Sequence, residues 1–196
     1  MTTADDVNLL VLVGSLRAGS VNRQIAELAA RSAPEGVSVT LYEGLGEVPF
    51  YNEDVDDGNA PAAATALRGA VADADAVLVV TPEYNGSIPA VVKNAIDWLS
   101  RPYGQSAVTA KPLAVIGAAL GRFGGEWAHD ETRKSFGIAG ARVIDGLTLS
   151  APIASLNGAH PRDSAELVEN IRAVVDMVAA EGAGSARAGR FAVTSQ

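Results

Sequence analysis

Three stretches of this chain are too continuously apolar to be strands with one wet face. They are Val7-Asn-Leu-Leu-Val-Leu-Val13, Ala76-Val-Leu-Val-Val-Thr81 and Leu113-Ala-Val-Ile-Gly-Ala-Ala119. A strand covered on one side alternates apolar and polar residues, whereas a strand covered on both sides does not. Each run therefore belongs to a sheet sandwiched between helices. Between the runs the period changes to that of a helix: Val21, Ile25, Leu28 and Ala29 share one face, Pro61 suits the first turn of a helix reaching about Asp73, and further helices are predicted over 90–101 and about 127–138. Val37 to Tyr42 and Arg142 to Leu149 supply two shorter strands. Five strands, each followed by a helix, define an α/β domain with a parallel sheet and right-handed crossovers. Pro161 opens the last helix, with Asp163 and Glu166 spaced as a capping box and Leu167, Ile171, Val174, Val175 and Val178 as its buried stripe. Residues 182–196 lack periodicity and read as a flexible tail on a single domain covering 1–181.

Composition removes several classes of function. The net charge is -8 and the pI about 4.7, so the surface repels nucleic-acid phosphates and anionic membranes, and neither is an expected partner. No run reaches the ~18 apolar residues of a membrane span, and Met1-Thr-Thr-Ala-Asp-Asp6 lacks the basic start of a secretory leader. The absence of cysteine excludes disulfides, thiolate nucleophiles and cysteine-held metals, and fits a cytoplasmic protein. His129 stands beside Asp130 and Glu131, but consecutive helical side chains do not converge, so no metal site is expected there. Residues 43–75 hold eight acids against Arg68 alone and read as a solvated face. In the helix over 90–101, Val91, Val92, Ala95, Ile96, Trp98 and Leu99 span a stripe of roughly 160°. That width fits either a broad core face or a subunit contact with Trp98 at its edge.

Ligands of such sheets lie beyond the carboxyl ends of the strands. The loop after the first strand, Gly14-Ser-Leu-Arg-Ala-Gly-Ser-Val-Asn-Arg23, contains hydroxyls, two arginines and no acid, and it opens a helix whose free N–H groups favour an anion. It is not a Walker loop, because Ser20 and Val21 replace the required Lys and Ser/Thr, and Leu16 breaks a dinucleotide G-x-G-x-x-G. A phosphomonoester held by hydroxyls, amides and Arg17 remains. The loop after the third strand, Thr81-Pro-Glu-Tyr-Asn-Gly-Ser-Ile-Pro89, is stiffened by two prolines around an Asn-Gly turn and suits the edge of a flat heterocycle.

These two loops, followed by Lys93-Asn94-Ala-Ile-Asp97-Trp98, resemble the NAD(P)H-dependent FMN reductase family, whose members include quinone, azo and chromate reductases; the likeness covers about residues 7–180. The resemblance implies a flavodoxin-like three-layer sandwich with strand order 2-1-3-4-5 and a bound FMN. Ser15, Arg17, Ser20, Val21 and Asn22 fall on the phosphate-binding stretch, and Pro82, Glu83, Tyr84, Asn85, Gly86 and Ser87 on the loop that holds the ring. Gly121 falls on a third lining loop, where Ala118 and Ala119 occupy positions at which relatives often carry a hydroxyl. The resemblance further implies that a hydride passes from NADPH or NADH through FMN to a small acceptor (a flavin, quinone, azo compound or metal oxyanion). The order is ping-pong, in a homodimer or homotetramer, and no protein acid or base is assigned. The rival reading is a flavodoxin-like electron carrier or redox sensor that docks through the acidic belt. Consumption of NAD(P)H by the isolated protein separates the two.

Overall fold

The computed structural model describes residues 6–193. Residues 1–5, on which most of the expectation about a secretory leader rests, and residues 194–196 of the expected tail lie outside the described residues. Strands β1 (Val7–Val13), β2 (Val37–Tyr42), β3 (Ala76–Val80), β4 (Pro112–Ala119) and β5 (Arg142–Pro152) form one parallel sheet in the order β2-β1-β3-β4-β5. Helices α1 (Val21–Arg31) and α5 (Ala165–Val193) cover one face, and α2 (Ala62–Asp73), α3 (Ala90–Leu99) and α4 (Glu126–Ile138) the other. The unbroken apolar runs follow from this layering. Leu9, Val11 and Val13 of β1 enter the α1/α5 core while Leu10 and Leu12 enter the opposite one, and β3 divides Ala76, Leu78 and Val80 from Val77 and Val79 in the same way.

The chain departs from the sequence expectation at five places. The last helix starts later than the Asp163/Glu166 box implies. His160 Nδ1 accepts from the Arg162 N–H, Pro161–Asp163 close a 3-10 turn, and Ser164 caps α5 by accepting from the Leu167 N–H at 3.3 Å. The same helix runs on to Val193 rather than giving way to an aperiodic segment at 182. Arg142 holds its extension, bonding Glu181 at 2.7 Å and the Ser185 hydroxyl at 3.4 Å, and Gly182 packs against Val7 and Ala76. Strand β5 continues to Pro152, after residues 144–147 bulge opposite Ala114.

Finally, Trp98 is not at an edge: it is fully buried, its indole N–H donates to the Pro49 carbonyl at 2.8 Å, Tyr51 meets it edge-on and the Arg68 guanidinium lies over its ring. The wide stripe of α3 is a core face. The acidic belt is also less free than it reads. Asp56 grips Arg68 through bonds of 2.7 and 2.6 Å, which holds that carboxyl below its ordinary range, and Asp75 accepts from the Asn8 N–H.

Candidate functional site

The loops after β1, β3 and β4 meet at the carboxyl end of the sheet and enclose a cleft of about 320 Å³. Ligand clefts span roughly 300–1,000 Å³. Of the residues singled out from the sequence, Ser15, Arg17, Ser20, Val21, Asn22, Pro82, Glu83, Tyr84 and Gly121 line it, joined by Gly19, Ala118, Ala119, Leu120 and Ile153. Asn85, Gly86 and Ser87 stand beyond it, at the tip of a small hairpin. Ile153 arrives through the unforeseen extension of β5, and nothing near it in the sequence signals that approach.

Gly14 lets the first loop leave the sheet, because a Cβ there would sit 2.7 Å from both Thr81 Cβ and Val92 Cγ2. Ser15 is largely buried and lines the cleft. Ser20 caps α1 by accepting from the Asn22 N–H at 3.2 Å, which leaves its own hydroxyl hydrogen available. The N–H groups of residues 15–19 and of Val21 have no backbone partner among the described residues. The two arginines separate. Arg23 is taken by Glu43, at 2.9 and 2.7 Å, and by Glu27 at 3.2 Å; this raises the arginine's pKa and holds the Glu43 carboxyl below its ordinary range. Arg17 is exposed and free of any partner among the described residues, so it is the available cation lining the cleft.

Asn22 departs from its expected role as a free donor to phosphate. It is buried: Nδ2 donates to the Ala118 carbonyl at 2.9 Å and Oδ1 accepts from the Ala118 N–H at 2.8 Å. Its side chain ties α1 to the end of β4 beneath the cleft, and its neighbour in that floor is His129. This residue is fully buried, with Nε2 2.8 Å from the Thr81 carbonyl and Nδ1 2.7 Å from Ser150 Oγ. A carbonyl only accepts, so Nε2 carries the hydrogen and Nδ1 accepts from Ser150 in the neutral ring. Burial, and secondarily Arg133, push the pKa of His129 down, against the Thr81 carbonyl, Glu83 and Asp130. No cluster of metal-ligating side chains occurs among the described residues. Gly117 closes the floor: a Cβ there would overlap the Thr81 carbonyl and lie 2.8 Å from both Asn22 Oδ1 and His129 Nε2.

The loop after β3 folds back at Asn85-Gly86, where both φ angles are positive, 54° and 73°. This is the two-residue turn that Asn-Gly favours. Tyr84 and Ser87 exchange backbone hydrogen bonds of 3.2 and 3.1 Å across it. The Ser87 hydroxyl is committed to Glu131 at 2.7 Å, so Ser87 offers the cleft side only its backbone. In the third loop Gly124 has φ 63° and lies against β5, where a Cβ would be 2.5 Å from the Ser150 carbonyl. Phe123 and Trp127 form an exposed aromatic pair at the rim, with the Arg122 guanidinium over Phe123.

A larger depression of about 680 Å³ lies elsewhere, around Tyr51, Asp56, Arg68, Arg101 and Tyr103. Its Arg68 is already neutralised by Asp56, and Arg101 faces Tyr51, Glu53 and Asp56. Its two arginines are thus already opposed by acids, unlike Arg17 after β1.

The 2-1-3-4-5 sheet and a cleft at its switch point, anionic-ligand donors on one side and a stiff loop with a tyrosine on the other, define a flavodoxin-like protein. The chain belongs to the NADPH-dependent FMN reductase family, whose model matches residues 7–155, and it is an oxidoreductase. It is 40% identical over 167 residues to a quinone reductase of Pseudomonas putida, covering 84% of this chain and 87% of that one. A 2-hydroxy-1,4-benzoquinone reductase of a Burkholderia species is 44% identical over 127 residues, covering 65% of this chain and 68% of that one. Among solved structures, the flavoenzyme NAD(P)H:(acceptor) oxidoreductase FerB of Paracoccus denitrificans superposes with a TM-score of 0.76 at 31% identity, covering 88% of this chain and 97% of that one.

Proposed function

We propose that this protein is an FMN-dependent reductase that takes electrons from NADPH or NADH and delivers them to a small acceptor of the quinone class. The observation that carries this reading is the convergence, in one cleft, of Ser15, Ser20, free loop amides and Arg17 opposite the Pro82–Tyr84 edge. The donor set fits a phosphomonoester, and the stiff edge and tyrosine fit a flat ring. FMN, when bound, supplies the hydride chemistry.

The chain's own groups have three tasks. Ser15, Ser20 and Arg17, with the amides of the β1 loop and of Val21, bind the phosphate. Pro82, Glu83 and Tyr84 orient the ring, and the backbone of Asn85, Gly86 and Ser87 stiffens that edge. Ala118, Ala119 and Gly121 carry no ionisable side chain, so that wall excludes water without adding a charge. Proton transfer is assigned to no side chain.

Among the described residues, the cleft beside Pro82–Tyr84 is where dinucleotide and acceptor would both meet a bound ring. Dinucleotide and acceptor therefore use the same space in turn. Exposed Phe50, Tyr103 and Ile138 support a homodimer or homotetramer, and dependence on NAD(P)H with a cysteine-free chain supports a cytoplasmic site of action. No helix among the described residues is long and apolar enough to cross a membrane.

The test is a visible spectrum of the purified protein followed by anaerobic NADPH, then steady-state rates at several quinone concentrations. Bleaching of a flavin band and parallel double-reciprocal lines are expected. Intersecting lines overturn the shared-site order, and a spectrum indifferent to added FMN overturns the cofactor.

A further inference from the structure

We propose that Glu131, on the exposed side of α4, is the positioning residue for the loop after β3, fixing how the Tyr84–Ser87 hairpin stands over the cleft. The inference rests on the reading of that cleft as a flavin site.

The hairpin is braced internally only by the Tyr84–Ser87 pair of backbone bonds. Apart from Ile88, which packs against the α2/α3 core, and the strand contact of Thr81 to Ile116, its side-chain hydrogen bonds come from one helix, α4. His129 donates to the Thr81 carbonyl at the root of the loop. The Glu83 carboxylate accepts from the Ala128 N–H at 3.2 Å, in the first turn of α4, where the helix dipole favours an anion. Glu131 accepts twice through one oxygen, from Ser87 Oγ at 2.7 Å and from the Ile88 N–H at 3.3 Å. Gly86 lies against the Trp127 ring of the same helix, where a Cβ would come within 3.5 Å.

The first two contacts hold the start of the loop, and Pro89 caps α3 at its end. Glu131 supplies the side-chain hydrogen bonds to the returning arm, Ser87-Ile88, while the Ile88 side chain packs against the α2/α3 core. Loss of the Glu131 contact leaves the root and Ile88 in place and frees the tip of the hairpin to swing. Glu131 does not line the cleft, so it acts through the loop rather than on a ligand. Being exposed, it can be replaced without opening the core.

The experiment compares the parent full-length chain with Glu131→Ala and Glu131→Gln. Amide exchange is followed first without flavin, then FMN affinity and the bound-flavin absorption band are measured. In Glu131→Ala, exchange within residues 84–88 is expected about tenfold faster with segments outside 81–89 and α4 unchanged, and FMN affinity about tenfold weaker with a shifted band, the scale of one lost bond to a charged acceptor. Glu131→Gln keeps a carbonyl oxygen for both donors and is expected to restore exchange and band. Exchange and affinity in Glu131→Ala within twofold of the parent overturn the proposal, and so does Glu131→Gln behaving like the alanine variant. If the parent takes up no FMN, the flavin reading fails by itself while the exchange measurements still decide the tether.

Discussion

Arg17, in the loop after β1, and Arg23, in the first turn of α1, sit six residues apart, and their surroundings give them opposite fates. Replacing Arg17 by alanine removes an exposed guanidinium with no partner among the described residues, so no interaction within the fold is lost. If it reaches a bound phosphate, the loss is one hydrogen bond between charged groups, roughly 1.5–3 kcal/mol. Its exposure places it at the lower end. About 1.5 kcal/mol is a little over tenfold in affinity. Arg23→Ala is the internal control: its guanidinium is engaged by Glu43 and Glu27, so FMN affinity is expected to stay within about twofold. The assay is titration of the flavin-free protein by quenching of flavin fluorescence, with FMN and with riboflavin. Arg17→Ala should weaken FMN and leave riboflavin unchanged, since riboflavin lacks the phosphate. Equal weakening of both flavins, or a larger effect from Arg23→Ala, refutes the placing of the phosphate beside Arg17.

Gly117→Ala should be among the most damaging single methyl additions, because the new carbon meets the Thr81 carbonyl, which cannot rotate away. Overpacking of this kind costs about 3 kcal/mol, lowering Tm by roughly 6–12 °C in a chain of this size; a Tm within about 2 °C of the parent contradicts the packing described. Stability should also fall as pH drops below about 6.5, the ordinary histidine value, before the carboxylates titrate. His129 is depressed in the folded state, so there the unfolded chain binds more protons, and the contribution present above that pH is lost through the folded pKa. Thermal melts between pH 7.5 and pH 5 should therefore slope less in His129→Gln than in the parent, and equal slopes would remove His129 as the cause.

The sheet was legible because its central strands are buried on both faces, which leaves a mark that needs no tertiary knowledge. The two main loops were legible because their residue types are costly unless used: hydroxyls and a cation at a helix start, or two prolines around Asn-Gly. The division of labour inside those loops was not. Nothing local distinguishes Arg17 from Arg23, since the difference is made by Glu43, twenty residues away. Asn22 and His129 are set by partners 96 and 48 residues distant. His129 reads as a lone polar residue among acids until β5 brings Ser150 to it. Trp98 misled for a related reason, because its partners Pro49, Tyr51 and Arg68 lie in segments whose composition reads as exposed loop and helix face.

Asn22 has one more consequence. Beyond Thr81 the chain of β3 turns away, yet β4 continues beside β5 to Ala119, so on its β3 side the main chain at Ala118 faces a place where no strand runs. The Asn22 carboxamide fills that place: it is chemically a peptide unit, offering one N–H and one C=O to the opposite pair on Ala118. The sheet thus acquires a surrogate rung borrowed from a helix, directly beneath the cleft. Aspartate, otherwise welcome in the first turn of a helix, is barred from this position. It would set a carboxylate oxygen against the Ala118 carbonyl and supply no hydrogen to join them.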